Sequence, residues 1–350
     1  MRKRYGSERG DFEKMKKTFL PIILALFAAI FYALNIPVSK LLLNGISPTM
    51  LAGLLYLGAG LGIGVFLPFS IKKDGKSNLL TKSDTPYIIG MIVLDIAAPI
   101  LLMFGISRTS GSSAALLNNF EIVATALIAL FIFKEKITPK LWMAIVLVTA
   151  ASVILTYSGG DMTFSYGALF ILGAAVCWGF ENNCTRKISN KNVYEIVTVK
   201  GLCCGISSIV IALIIGESFP MWQFFIYALL LGFVAYGLSI FFYIKAQNKL
   251  GAAKTSAFYA VNPFIGAILS LIIFNDTLAW NFYVASGIML IGTVFIIIDT
   301  IERQHTHLHT HIITHTHDGT THTHVIEHEH KHSHFGKEDE HNHRHIKIKE

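Results

Sequence analysis

The chain has 350 residues, of which 53% are hydrophobic and only 15% charged, with a formal net charge of +7 and a mean hydropathy of +0.55. Soluble globular domains carry about 25% charged residues, so composition sets aside a soluble enzyme or binding module. The basic excess does not point to nucleic acid either. Lys and Arg cluster in short segments between apolar runs of about 20 residues, the length at which a helix crosses a bilayer core.

Residues 1–18 form a basic leader to the first apolar run, 19–43. That run is longer than a signal-peptide core and lacks a small-residue cleavage site, so it reads as a first spanning helix. Further helices are predicted at 49–70, 86–106, 112–133, 140–157, 164–184, 193–216, 221–245, 255–274 and 279–300. Between them lie breaker-rich segments such as KKDGKSNLLTKSDTP, SRTSG, KEKITPK, SGGD and GESFP. The expected fold class is an all-α polytopic membrane protein with ten transmembrane helices, its first partner being the lipid bilayer.

Charge decides the orientation. Alternate loops hold thirteen basic residues: Lys72, Lys73, Lys76 and Lys82; Lys134, Lys136 and Lys140; Arg186, Lys187 and Lys191; and Lys245, Lys249 and Lys254. The opposite loops hold Arg108, and Lys40 at the end of the first helix. By the positive-inside rule both termini are cytoplasmic, in a multi-pass protein of the cell membrane.

The chain also repeats. FKEKI at Phe133–Ile137 corresponds to FNDTL at Phe274–Leu278 with an offset of 141, and the same offset pairs Arg108 with Lys249, Glu121 with Asn262 and Asp95 with Tyr236. YALNIPVSK (Tyr32–Lys40) corresponds to WGFENNCTR (Trp178–Arg186) with an offset of 146. Two units of five helices follow, at 19–157 and 158–300. Five is odd, so the second enters the membrane inverted, the arrangement of many secondary transporters. The segments SRTSGSSAALLNNFEIVATALIALFIFKEKITPK and NKLGAAKTSAFYAVNPFIGAILSLIIFNDTL resemble the carboxyl half of an EamA domain, the repeating unit of the drug/metabolite transporter superfamily. Ile122 stands where that motif usually has proline, and Asp276 where it usually has glutamate. The resemblance implies a transporter working by alternating access, with helices 1/6, 3/8 and 4/9 lining a central cavity; export is the commoner direction.

Ionisable groups inside a membrane span are costly and are functional candidates by default. Asp95, Glu121 and Glu181 lie deep in predicted helices 3, 4 and 6, and their repeat partners are Tyr236, Asn262 and Asn35. Glu121 divides evenly between cavity lining and helix packing; Asp95 and Glu181 lean toward the cavity. Asn118 and Tyr259 add hydrogen-bonding capacity for a polar substrate, or serve as interhelical glue. Pro37, Pro99 and Pro263 interrupt helices 1, 3 and 9 and free carbonyls. Lys200 is expected to snorkel to the cytoplasmic surface. The cavity then has no deep cation beyond the reach of Lys40 or Lys254, and its acidity favours a cationic or zwitterionic small molecule, such as an amino acid or amine.

No HExxH, GxSxG or membrane-embedded histidine is present, which argues against a membrane enzyme, and no cofactor is required. The four cysteines form no CxxC and read as small core residues. All fifteen histidines lie between His305 and His345, in a polar segment, 301–350, whose composition predicts disorder. His305, His307, His309, His311, His315, His317, His322 and His324 are candidate ligands there for Zn, Ni or Co. That tail supports an alternative, a divalent transition-metal exporter.

Overall fold

The computed structural model describes residues 20–74, 78–134, 137–158, 163–250, 255, 258–275, 278–317 and 320–335. The basic segment 1–18, Lys76, Lys136, Lys254, Asp276 and residues 336–350 lie outside the described residues.

Among the described residues, eight helices are long and apolar enough to cross a membrane. They are α1 (Leu20–Leu42), α2 (Pro48–Lys73), α3 (Lys82–Ser107), α4 (Gly111–Ile132), α5 (Pro139–Thr156), α7 (Val193–Ile214), α8 (Trp222–Ala246) and α10, whose helix runs Trp280–Ile301. Two further helices lie among the described residues. α6 (Tyr166–Ile188) is as long but carries Glu181, Asn182, Asn183, Arg186 and Lys187 in its second half; α9 (Asn262–Phe274) is apolar but has 13 residues. Large apolar side chains such as Phe131, Ile214, Trp222 and Ile272 are exposed on the outer faces, as expected where the solvent is lipid.

The predicted helices are interrupted where their sequences cannot sustain the backbone ladder. Pro37 has no N–H to give the Ala33 carbonyl, and α1 breaks into a turn at Leu34. α4 breaks at Asn118–Asn119. Residues 255, 258 and 259 are helical, as expected, and a turn at Ala260–Val261 precedes α9, where Pro263 cannot donate to Tyr259; the Asn262 side-chain amide donates to that carbonyl instead, at 3.2 Å. α8 widens into a π-helical stretch over Gly232–Leu238. α4 and α9 end alike, on left-handed residues Lys134 (φ 54°) and Asn275 (φ 49°), which are 141 positions apart.

Small residues set the packing. A Cβ on Gly201 would come within 2.3 Å of the Gly60 nitrogen, so α2 and α7 touch backbone to backbone. Gly53 meets Gly205 and Ile209 at one end of that crossing, and Gly64 meets Thr198 at the other, so the two helices run antiparallel. Gly111 lies on Ser270 and Phe274, making α4 and α9 antiparallel. Thr138 donates to Asp299 and Asn281 to the Ile154 carbonyl, and α5 and α10 are antiparallel too. α2 is the central helix, with Met50, Leu51, Leu54, Leu55 and Tyr56 all buried. Its N-terminus is closed by Glu217, whose carboxylate accepts from the Thr49 and Met50 amides at 3.3 and 2.7 Å, a favourable place for negative charge.

Two β-hairpins accompany the helices among the described residues. Tyr157–Ser158 (β1) pairs with Thr163–Phe164 (β2) between α5 and α6. Beyond α10, where disorder is expected from composition, Glu302–His317 (β3) pairs antiparallel with Thr320–Phe335 (β4). Low hydrophobicity denies this segment a core, but a hairpin closes its backbone hydrogen bonds without one.

Candidate functional site

A buried ionic cluster lies where α3, α6 and α7 meet, with α2 alongside. The Lys200 ammonium is 2.9 Å from Asp95 Oδ2 and 2.9 Å from Glu181 Oε1. Both contacts are ion pairs at hydrogen-bonding distance, so the ammonium bridges the two carboxylates. Thr185 also donates to Glu181 Oε1. Asp95 Oδ1 accepts from Tyr56 Oη at 2.8 Å and from Trp178 Nε1 at 3.2 Å. Asp95 is fully buried, Glu181 2% exposed and Lys200 8% exposed, so one cation stands between two carboxylates away from water and leaves one negative charge over.

This corrects the expectation for Lys200. It does not snorkel: seven residues into α7 it stands about 10 Å along the helix axis from Val193, and the two carboxylates hold its ammonium inside. The site is therefore acidic with a cation at its centre. Lys40 is engaged elsewhere, donating to the Thr109 carbonyl at the α3–α4 junction and lying 5.7 Å from the centre of the Phe274 ring.

An aromatic cluster extends the network toward α1 and α8. The rings of Tyr56 and Tyr236 are 5.1 Å apart, those of Tyr32 and Tyr236 5.9 Å, and those of Tyr32 and Tyr259 5.8 Å. Asn35 donates to the Tyr236 hydroxyl at 3.0 Å and accepts from Ser39 at 3.0 Å. Tyr236 sits in the π-helical stretch of α8; such widened turns occur often at functional sites because they re-aim a side chain. The interruption at Leu34 immediately precedes Asn35, and Pro99 leaves the carbonyl of Asp95 itself without its helical donor. The helix breaks thus cluster around the polar network.

Four of the residues expected from sequence, Asp95, Glu181, Asn35 and Tyr236, are joined directly or through Tyr56 and Lys200. Glu121 is half-buried and accepts from the Asn182 amide at 2.8 Å, which ties α4 to the residue following Glu181. Tyr259 joins through its ring, and its hydroxyl lies 3.4 Å from Ser239 Oγ. Asn118 is buried at the α4 break and its Oδ1 has no hydrogen-bond partner among the described residues. Asn262 is occupied with the Tyr259 carbonyl and is not brought into the ionic cluster. Lys200, Tyr56 and Trp178 are the members not foreseen. Lys200 was detectable: a lysine in a span shared with no other charge beyond its first turn requires acids on neighbouring helices. Tyr56 and Trp178 look in sequence like ordinary apolar-face aromatics. An apolar crevice between α1 and α8, lined by Leu34, Val38, Phe224 and Tyr227, lies apart from this chemistry.

The arrangement has known relatives. The family model for the EamA-like transporter family matches twice, over residues 19–157 and 165–298. An uncharacterized transporter of Methanothermobacter thermautotrophicus is 25% identical over 312 residues, covering 83% of this chain and 88% of its own. The uncharacterized inner membrane transporter YedA of Escherichia coli is 22% identical over 288 residues, covering 81% and 92%. A solved structure with a TM-score of 0.59 and 16% identity covers 80% of this chain and 97% of its own, a likeness of fold alone. With matches over both halves of its helical body, the chain belongs to the EamA-like transporter family.

Proposed function

We propose that this membrane transporter is a secondary carrier of the cell membrane that moves a small zwitterionic or cationic metabolite, such as an amino acid or amine, by alternating access. The observation that carries this reading is the Lys200 ammonium held between Asp95 and Glu181. A pair of carboxylates that binds one ammonium in a buried site has the chemistry to bind another. A zwitterion fits: its ammonium takes one carboxylate from Lys200, its own carboxylate accepts the freed lysine, and the buried net charge is unchanged. A monovalent amine fits too, because a second cation balances the second carboxylate. The π-widened turn at Tyr236 and the breaks at Leu34 and Asn118–Asn119 provide hinges beside this site. An outward direction follows from the family resemblance alone.

The two halves, in this reading, are inverted five-helix repeats with both termini cytoplasmic. Antiparallel packing of α2 on α7, α4 on α9 and α5 on α10 supports it, as do the left-handed caps 141 residues apart. The divalent-metal exporter draws no support from the helical body, where no group of three or more His, Cys, Asp or Glu side chains assembles among the described residues.

Two measurements test these statements. Single cysteines at Lys136 and Thr277 should differ in labelling by an impermeant reagent added to intact cells, with only the second modified; equal modification rejects the inverted arrangement. In a ligand screen by thermal unfolding, zwitterionic amino acids should raise the unfolding temperature of the purified protein, because a ligand bound only to the folded state stabilises it. Stabilisation by organic anions alone would contradict the proposed substrate class.

A further inference from the structure

α10 ends at Ile301 and the backbone passes directly into β3. In a strand, positions i and i+2 share a face. Within β3 every histidine stands at an odd position between 305 and 317; within β4 every histidine stands at an even position between 322 and 334. The pairing places His317 opposite Thr320, so odd positions of β3 oppose even positions of β4 along the whole hairpin. The change of histidine parity across Asp318-Gly319 is the change this register requires, and all twelve histidines of the two strands fall on one face. A one-residue slip of β4 would send its six to the other face.

Four pairs stand directly opposite: His305–His332, His307–His330, His309–His328 and His315–His322. Directly opposed positions have Cβ atoms about 4.5–5.5 Å apart, and successive positions on one face are spaced by about 6.8 Å.

We propose that this histidine face binds divalent late transition-metal ions of the Zn, Ni and Co type through cross-strand imidazole pairs, centred on the three consecutive pairs from His305–His332 to His309–His328. Imidazole is a ligand suited to these metals. At roughly two to four imidazoles per ion, twelve histidines hold about three to six ions. The site lies beyond the last membrane helix and is independent of the substrate reading above; its ions are bound on the hairpin and are not the cargo.

The test uses the full-length protein in detergent. Bound Zn²⁺ per chain is measured after equilibrium dialysis, and Co²⁺ absorption reports the ligand set. Three variants are compared: His305→Asn with His307→Asn and His309→Asn; His328→Asn with His330→Asn and His332→Asn; and all six together. Cross-strand pairing predicts that each triple variant loses the same ions as the sixfold variant, with the same loss of Co²⁺ absorption. Losses that add between the two triples would show histidines binding one by one and overturn the paired site. Zn²⁺ binding by the unaltered chain no greater than by a chain with all twelve histidines replaced by asparagine would overturn the site altogether.

Discussion

Lys200→Met is expected to cost about 3–5 kcal/mol of folding stability, the usual consequence of removing one partner of a buried ion pair and leaving the other uncompensated. Here the effect falls on two carboxylates at once. Lys200 is the one cation within hydrogen-bonding distance of Asp95 and Glu181 among the described residues, and both are buried. Without it, at least one of them must take a proton to remain inside. Denaturant unfolding in mixed micelles measures the loss. Combining Lys200→Met with Asp95→Asn and Glu181→Gln removes all three charges and should recover most of it, since a buried ion pair and a neutral replacement of similar shape often differ little in stability. Wild-type stability in the single variant would mean that the cluster is hydrated and contributes nothing to the fold.

Asp95→Asn and Glu181→Gln should behave differently from Lys200→Met. Each removes one carboxylate and leaves Lys200 paired with the other, so the remaining charges balance and the protein stays folded. In Asp95→Asn the new side-chain oxygen can still accept from Tyr56 and Trp178, but its amide faces the lysine with hydrogens in place of a charge. A site that trades Lys200 between two carboxylates then has only one left, already occupied. Losing a charged hydrogen-bond partner of about 1.5–3 kcal/mol corresponds to a fall of roughly tenfold to a hundredfold in transport of an amine-bearing substrate. Uptake into proteoliposomes, with the amount of folded carrier verified, reads this directly. Unchanged transport in both variants would assign the cluster to packing alone.

Much of the fold can be read without coordinates. Apolar runs of spanning length locate the helices, because lipid demands internal satisfaction of every backbone group and leaves the helix as the simplest solution. The offset of 141 links Lys134 to Asn275, and the two end equivalent helices in the same left-handed conformation. Acidic residues at Asp95 and Glu181 are legible for the same reason that they are rare: each is expensive where it stands.

Other features were legible only in part. Snorkelling misplaces Lys200, because the length of a lysine side chain permits both an interfacial and an internal position.

By itself the sequence determined the spanning helices, the twofold internal repetition and the buried acids, since each is a one-dimensional consequence of hydropathy and charge cost. Only the tertiary structure decided that Lys200 turns inward to Asp95 and Glu181, that Tyr56 and Trp178 cap the same carboxylate, and that Asn262 serves its own helix start. Those outcomes depend on which helix faces meet. Backbone contact at Gly60 and Gly201 brings α7 against α2, and that crossing sets Lys200 beside Tyr56 and its carboxylate partner. Distances between residues more than a hundred positions apart follow from packing, and hydropathy along the chain does not encode them.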